Sequence, residues 1–156
     1  MTPIILQKAL KEELETLFEG FLSSPDPAFQ GKRVAVFEQD IPLEMETEAD
    51  EEKAPYIIVR LSEGEQAQWE DAEMVTVILI FCVKAPEWNR SGYQDVMNMI
   101  QKVKERLLKH PQVGAYFTAE LPLKWVVQEG DTHELYYGGM ELNFACPAIL
   151  RESRFV

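Results

Sequence analysis

The sequence predicts an α+β fold, an antiparallel or mixed β-sheet with two main helices packed on one face. Three observations lead to this prediction. The run Met74–Val83 is the most apolar of the chain and has the composition of a central strand. An amphipathic segment from about Tyr93 to Lys109 follows it, and shorter strand-like segments lie on either side of these two. With 156 residues, the chain is expected to form a single domain, residues 1–156.

In Met74–Val83, one set of alternate positions is entirely apolar, which predicts a buried sheet face. These positions are Val75, Val77, Leu79, Phe81 and Val83. The other set mixes Ile78 and Ile80 with polar Thr76, so this second face is expected to be only partly covered. A strand with apolar residues on both faces is predicted to lie in the middle of the sheet.

Two amphipathic helices are predicted from apolar residues that recur with the helical period. The first is Pro3–Leu22, with a stripe formed by Leu10, Leu14, Leu17, Phe18 and Phe21. The second begins near Tyr93 and ends before Pro111, with a stripe formed by Val96, Ile100, Val103 and Leu107. The second stripe is expected to lie on the apolar face of the central strand and to bury together Val77, Leu79, Ile100 and Val103.

The remaining strands are predicted from alternating or β-branched composition. They are Val34–Phe37, Tyr56–Leu61, Val113–Thr118, Leu123–Val127 and a last strand made of Leu135–Tyr137 and Met140–Ala145. We expect Tyr56–Leu61 to pair antiparallel with the central strand. Within the last strand, Gly138–Gly139 is expected to form a bulge or a bend.

The chain is strongly acidic, with 27 acidic residues, 15 basic residues and a formal net charge of −12. This balance argues against a nucleic-acid-binding module and against an anionic membrane surface as partners. The densest acidic stretch is Glu38–Lys53 (38–53), where repulsion between like charges predicts a flexible, solvated loop. This stretch lacks the glycine and the alternating Asp/Asn pattern of an EF-hand, so no metal site is predicted there.

Few candidate catalytic groups are present, and no motif joins them. We interpret Cys82 and Cys146 as buried small hydrophobes in strands, with a disulfide left open. His110 and His133 are expected at the surface. Ser91–Gly92 could position a nucleophile, but no motif links a general base to it. Neither a phosphate-binding loop nor a Gly-x-Ser-x-Gly sequence occurs. No catalytic, cofactor-binding or metal-binding residue is therefore predicted, and no cofactor.

Targeting signals give one further expectation. The N-terminus lacks the basic residues and apolar run of a secretory signal. No apolar stretch reaches the roughly 20 residues that a membrane span needs. We therefore expect a protein of the cytoplasm.

The order of these elements resembles the tail terminator (tail completion, minor tail) proteins of long-tailed bacteriophages and prophages. The resemblance lies in APYIIVRLSEGE, VTVILIFCV, NRSGYQDVMNMIQKVKERLLKH, LPLKWVV and YYGGMELNFACPAI. The family's Gly-x-x-Asp-like helix start is matched here by Gly92–Asp95 and its proline-tryptophan strand by Pro122–Trp125. Its last glycine-containing strand is matched by Tyr137–Pro147. The match covers about Ala54–Arg151, and the acidic loop departs from the family's pattern.

The resemblance implies a structural protein that is not an enzyme. Members of this family form rings, typically hexamers, that cap the tail tube, end its polymerisation and provide the surface for head joining. The implied partners are further copies of the chain, the tail tube protein and a head–tail connector protein, without sequence-specific nucleic acid and without a membrane. The implied location is the host bacterial cytoplasm during assembly and, in a complete phage, the virion tail.

Candidate residues for the subunit interface come from two features of the sequence. Trp69 and Trp88 lie in predicted loops, and tryptophan is enriched at interface hot spots. Val34 and Val36 lie in a predicted edge strand. Two other classes of function stay open. An acidic regulator or DNA mimic would need carboxylates on rigid elements, and a small-ligand enzyme would need a concave pocket with convergent polar groups.

Overall fold

The computed structural model describes residues 2–23, 29, 31–41, 54–85, 92–128 and 135–152. The helices in these ranges are α1 (Pro3–Leu17), a short 3₁₀ helix (Glu19–Ser23) and α2 (Gly92–Lys109). The strands are β1 (Ala35–Glu38), β2 (Tyr56–Glu65), β3 (Glu73–Lys84), β4 (Gln112–Val113), β5 (Phe117–Val127) and β6 (Leu135–Cys146).

The strands form one mixed sheet in the order β1-β2-β3-β6-β5-β4. β1 runs parallel to β2, and all other neighbouring strands are antiparallel. This sheet and its two helices confirm the predicted α+β fold and the antiparallel pairing of β2 with β3. β3 pairs with β6 along its full length and with β2 along most of it, so its predicted central position is also confirmed.

Both helices pack on the same face of the sheet, and the main hydrophobic core lies between these two layers. β3 contributes its alternate residues from Val75 to Val83, each at most 2 % exposed. The helices contribute Leu6, Leu10 and Leu14 from α1 and Val96, Met99, Ile100, Val103 and Leu107 from α2. The predicted common burial of Val77, Leu79, Ile100 and Val103 is therefore confirmed.

The opposite face of the sheet is covered only in part, as its mixed composition predicted. A smaller apolar cluster of Ala54, Tyr56, Ile58 and Cys82 lies there, near β1 and β2. Further along β3, Thr76 and Ile78 are half-buried. The sheet thus has one fully packed face and one face that leaves apolar surface accessible near β6 and β5.

A buried glutamine ties α1 to the sheet. The Gln7 side-chain amide donates hydrogen bonds to the Val59 carbonyl at 2.8 Å and to the Gln39 side-chain oxygen at 3.0 Å. Gln39 in turn donates to the Leu61 carbonyl at 3.1 Å and accepts from the Leu61 N–H at 2.9 Å. These bonds compensate the burial of Gln7, because a buried amide without partners would be costly.

Several predicted element boundaries differ from the structure, and two strands are longer than predicted: β2 extends to Glu65 rather than Leu61, and β5 begins at Phe117 rather than Leu123. The first α-helix ends at Leu17 and is followed by the 3₁₀ helix, so the prediction that it reaches Leu22 is wrong. The predicted strand Val113–Thr118 is also wrong, because a turn with Gly114 at φ +61° separates β4 from β5. A positive φ is readily adopted by glycine, and it reverses the chain here.

The predicted bulge at Gly138–Gly139 is wrong, because β6 pairs with β3 through both glycines without a break in register. The reason for glycine at 138 is packing. A Cβ there would lie 2.4 Å from Val96 Cγ1, so α2 approaches β6 more closely than a side chain at 138 would allow. The ladder between β2 and β3 is instead irregular between Leu61 and Glu63.

The start of the predicted acidic loop is ordered against its neighbours. Glu38 ends β1 and forms an ion pair with Lys8 at 3.6 Å. Asp40 forms an ion pair with Arg60 at 3.0 Å. Both pairs are at least partly exposed and each is worth little alone, about 0–1 kcal/mol. The remainder of this loop, residues 42–53, lies outside the described residues, so its flexibility stays a prediction.

Candidate assembly interface

β5 lies near one edge of the sheet, and within the described residues most of its outer side has no neighbouring strand. β4 pairs only with Phe117 and Thr118, and the Ala119 N–H donates to the Pro111 carbonyl at 2.8 Å. From Glu120 to Val127, the described ranges place no strand on this outer side. Unpaired backbone groups along a strand are a template for pairing with another chain. We call residues 120–127 the β5 edge.

Three large apolar side chains of the β5 edge are exposed to solvent. Leu121 is 74 % exposed, Val126 is 66 % exposed and Trp125 is 46 % exposed. Single exposed apolar residues are common on protein surfaces, but several along one open strand are typical of an interaction site. Tryptophan in particular is enriched where interfaces derive most of their binding energy.

An irregular stretch of β5 is held in place by a side chain of β6. The register of the two strands shifts between Glu120 and Lys124, so the three residues between them have no register partner on β6. The Asn143 amide donates to the Pro122 carbonyl at 3.0 Å, and its oxygen accepts from the Thr76 hydroxyl at 2.8 Å. This chain of hydrogen bonds crosses three strands and fixes the backbone at the β5 edge.

Two hollows flank the β5 edge, one on each face of the sheet. The helix-side hollow, between α2 and β5, has a volume of about 190 Å³ and is lined mainly by Leu107, Leu108, Leu121, Leu123 and Leu142. The open-face hollow has a volume of about 300 Å³ and is lined mainly by Ile78, Lys124, Val126, Gly139 and Glu141. Small-molecule pockets typically measure roughly 300–1,000 Å³. The helix-side hollow is smaller than this range. Its volume suits a single apolar side chain better than a small-molecule ligand.

A second exposed surface combines the tip of the β2–β3 hairpin with the segment after β6, residues 147–152. Trp69 at the tip is 78 % exposed, and the Arg151 guanidinium carbon lies 5.2 Å from its ring centroid. This is a cation–π contact. Ile149 and Leu150, which precede the arginine, are 74 % and 78 % exposed. We call this region, with the exposed acids of the hairpin, the hairpin surface.

The hairpin surface is acidic. The segment 62–73 contains no basic residue and five acidic ones, Glu63, Glu65, Glu70, Asp71 and Glu73. Positive charge is concentrated at the end of α2. Residues 101–109 contain one acid, Glu105, and four bases, Lys102, Lys104, Arg106 and Lys109. The described chain therefore has an uneven charge distribution in addition to its net negative charge.

The sequence-predicted interface residues have three different outcomes. Trp69 is exposed, in agreement with its predicted place in a loop. Trp88 lies outside the described residues. Val34, just before β1, and Val36, within it, are only 3 % and 6 % exposed because both side chains pack into the main core. β1 does end the sheet, as an edge strand should, so a contact at this strand would use its backbone rather than the two valines.

The β5 edge was not predicted as an interface, although the sequence contains a signal for it. Leu123, Trp125 and Val127 are apolar residues at alternate positions, and this pattern was read only as that of a strand. Pro122 inside the same strand indicates an edge, because proline is confined to edge strands, strand starts or bulges. The apolar Val126, on the face opposite Trp125, is the second indication of a strand with exposed apolar surface.

The cysteines are free and buried, which confirms their interpretation as small hydrophobes and excludes the disulfide. Burial raises the pKa of the Cys146 thiol, and the nearby Glu73 carboxylate raises it further. Since the thiolate is the nucleophilic form, Cys146 is held in its unreactive state. His110 is exposed after α2, and His133 lies outside the described residues.

The described residues contain no group of three or more His, Cys, Asp or Glu side chains placed to hold a metal ion. No helix among them has the length and apolar character to cross a bilayer.

Fold and surface together define an α+β protein with an open, apolar sheet edge. No protein-family model matches the chain, and no curated protein matches it either. Its function is therefore inferred from its own surfaces and from the resemblance described above.

Proposed function

We propose that this protein is a bacteriophage or prophage tail terminator, which caps the tail tube as a ring, ends tail polymerisation and forms the head-joining surface. The observation that carries the proposal is the β5 edge, an open strand with three large exposed apolar side chains. In a monomer, an unpaired edge with exposed apolar side chains promotes aggregation. In an assembly, the same edge is a contact surface for the next subunit.

A ring needs heterologous contacts, in which each subunit uses two different surfaces. The described chain has unlike surfaces of this kind. Its sheet ends in β1 on one side and in β5 with the short β4 on the other. The surface at β5 is concave, with an apolar hollow on each face of the sheet. The hairpin surface instead carries exposed apolar side chains. This asymmetry favours head-to-tail contacts.

The positions that carry the resemblance have physical roles that support the proposal. A Cβ at Gly92 would lie 2.0 Å from a Tyr136 ring atom, so glycine lets α2 begin in contact with β6. Asp95 is buried in the first turn of α2, where the helix dipole favours a negative charge. Pro122–Trp125 lies in the β5 edge, so one of the resembling segments coincides with the candidate interface.

The net negative charge of the subunit opposes spontaneous ring formation. At −12 per copy, free subunits repel one another, and salt reduces this repulsion between exposed charges. We expect assembly to be promoted by the tail tube as a template or by raised ionic strength. The proposed partners are further copies of the chain, the tail tube protein and a head–tail connector protein, in the host cytoplasm.

The test uses phage tails that lack their own terminator. Purified protein added to growing tails should produce tails of uniform length, with protein bound at the head-proximal end by electron microscopy. Val126→Asp should abolish this effect, since it places a charge on the β5 edge. Ile4→Asp is the matched control, because Ile4 is 54 % exposed on α1. Tails that keep elongating with the unmodified protein would refute the proposal.

The hairpin surface favours a second candidate function, an acidic DNA mimic. Its acids lie on and beside paired strands, whereas the acids in 38–53 were predicted to be in a flexible loop. A mimic should displace DNA from a basic DNA-binding protein, and neutralising Glu63, Glu65 and Glu70 to glutamine should abolish the displacement. A lack of displacement at low salt would remove this candidate.

A further inference from the structure

The helix-side hollow has a chemical character that selects its occupant. Leucines line it, and its volume of about 190 Å³ suits an aliphatic side chain. Lys109 follows the lining residue Leu108, and Lys104 lies one helical turn before it, so cations border the α2 side. Glu120 is the acid among the lining residues. An apolar side chain with both an arginine and an acid beside it would match this site.

The segment after β6 has this combination of residues. Leu150 is 78 % exposed, Arg151 follows it, and Glu152 comes next. The acids of the β2–β3 hairpin lie on the same surface. The Leu150 side chain is largely exposed to water, so its burial in an apolar site of another chain would stabilise a complex through the hydrophobic effect.

A cation–π contact holds this segment against the β2–β3 hairpin of its own chain. Arg151 lies over the Trp69 ring, at the tip of the hairpin that joins β2 to β3. The hollow lies between α2 and β5, and β6 separates β5 from β3 in the sheet. A guanidinium that stacks on an aromatic ring keeps N–H groups free to donate at its edge.

We propose that Leu150 of one copy enters the helix-side hollow of the next copy, and that this is the contact that builds the ring. Arg151 then pairs with Glu120 of the neighbour, and Glu152 with Lys109. The contact joins two different surfaces, so it is heterologous and can close into a ring. Local attraction between the acidic hairpin surface and the basic end of α2 opposes the repulsion due to net charge. The ring itself rests on the proposed function.

Disulfide trapping between two proteins that each carry one introduced cysteine tests this contact. Leu150→Cys in one protein and Leu121→Cys in a second, larger tagged protein are mixed and oxidised. Both positions are at least 74 % exposed, and the native cysteines are at most 2 % exposed, so the introduced thiols react first. The mixed dimer should exceed the two homodimers by about tenfold, equivalent to about 1.4 kcal/mol. Ile4→Cys mixed with Leu121→Cys is the matched control and should give only the random proportion of mixed dimers.

Charge reversal provides the second measurement. Lys109→Glu in the Leu121→Cys protein should lower the yield of mixed dimer, and Glu152→Lys in the Leu150→Cys protein should restore it. A yield equal to that of the Ile4→Cys control overturns the contact, whatever the charge variants do. Tail capping without this trapping would leave the proposed function intact and refute only the contact. Trapping without tail capping would refute the tail terminator function and keep the contact.

Discussion

The close approach of α2 to β6 gives a quantitative prediction at Gly138. A Cβ at this position would lie 2.4 Å from Val96 Cγ1, which is about 1.1 Å below the ~3.5 Å at which carbon atoms begin to pack favourably. The strand cannot retreat freely, because the Val126 carbonyl oxygen would be 3.2 Å away on β5. Gly138→Ala should therefore destabilise the protein by about 1–3 kcal/mol, as overpacked cores do.

The adjacent glycine is the matched control. A Cβ at Gly139 would meet the Leu79 carbonyl oxygen at 3.5 Å and Val126 Cγ2 at 3.6 Å, which are ordinary contact distances. Gly139→Ala is expected to be neutral or to stabilise by up to about 1 kcal/mol, because alanine reduces the entropy of the unfolded chain. Urea denaturation, with the slope checked for constancy, measures both free energies of unfolding.

A double-mutant cycle identifies the cause of the effect. Val96→Ala alone removes two buried methyl groups at ~0.8 kcal/mol each and leaves a cavity. It also removes the atom that the new methyl group of Gly138→Ala would meet, so the double variant should be more stable than the sum of the single losses by about 0.5–3 kcal/mol. Equal effects at Gly138 and Gly139, or strict additivity with Val96→Ala, would refute the packing argument.

Three further predictions concern the core, the tie between α1 and the sheet, and the cysteine chemistry. Ile100→Ala should cost ~2–5 kcal/mol in urea denaturation, and a loss below about 0.5 kcal/mol would contradict the helix–sheet packing. Gln7→Leu should cost about 1–3 kcal/mol, since it removes two hydrogen bonds worth roughly 0.5–1.5 kcal/mol each, while the Val59 carbonyl keeps its bond from the Gln39 N–H; an unchanged denaturation midpoint would argue against this tie. Cys146 should react with a thiol reagent much more slowly in the folded than in the unfolded protein, and comparable rates at pH 9 would show that it is accessible. Because its folded pKa is raised, the stability contribution of Cys146 is complete below the unfolded thiol's pKa and is lost as pH rises toward the folded value.

Hydrophobic periodicity in the sequence was sufficient to predict those elements in which nearby residues determine which side chains are buried. β3 and α2 were predicted within one or two residues, because each has a clear period and a burial pattern that matches it. Gly138 shows the limit of this reasoning. Its lack of a side chain suggested a bulge, whereas the helix above it is the reason for glycine, and that contact joins residues distant in sequence.

The candidate interface depends even more on long-range arrangement. Whether Trp125 and Val126 are covered is decided by the strand beside β5, and β4 is too short to cover them. Val34 and Val36 show the opposite case, since a strand that ends the sheet can still direct its side chains into the core. The edge position of a strand can be expected from Pro122, but the exposure of its side chains requires the assembled sheet.

The hydrogen-bonded Asn143 makes the wall of the helix-side hollow sensitive to a change of a single atom. Its amide donates to Pro122 while its oxygen accepts from Thr76, so the two ends of one planar group serve different strands. Aspartate has the same shape but, when ionised, no donor, and it would face the Pro122 carbonyl with negative charge. Conversion of Asn143 to aspartate, by mutation or by slow deamidation, would therefore release the irregular part of β5 without altering the volume of the core. In an assembly that closes through β5, chemical ageing of one amide could loosen a contact while each subunit stays folded.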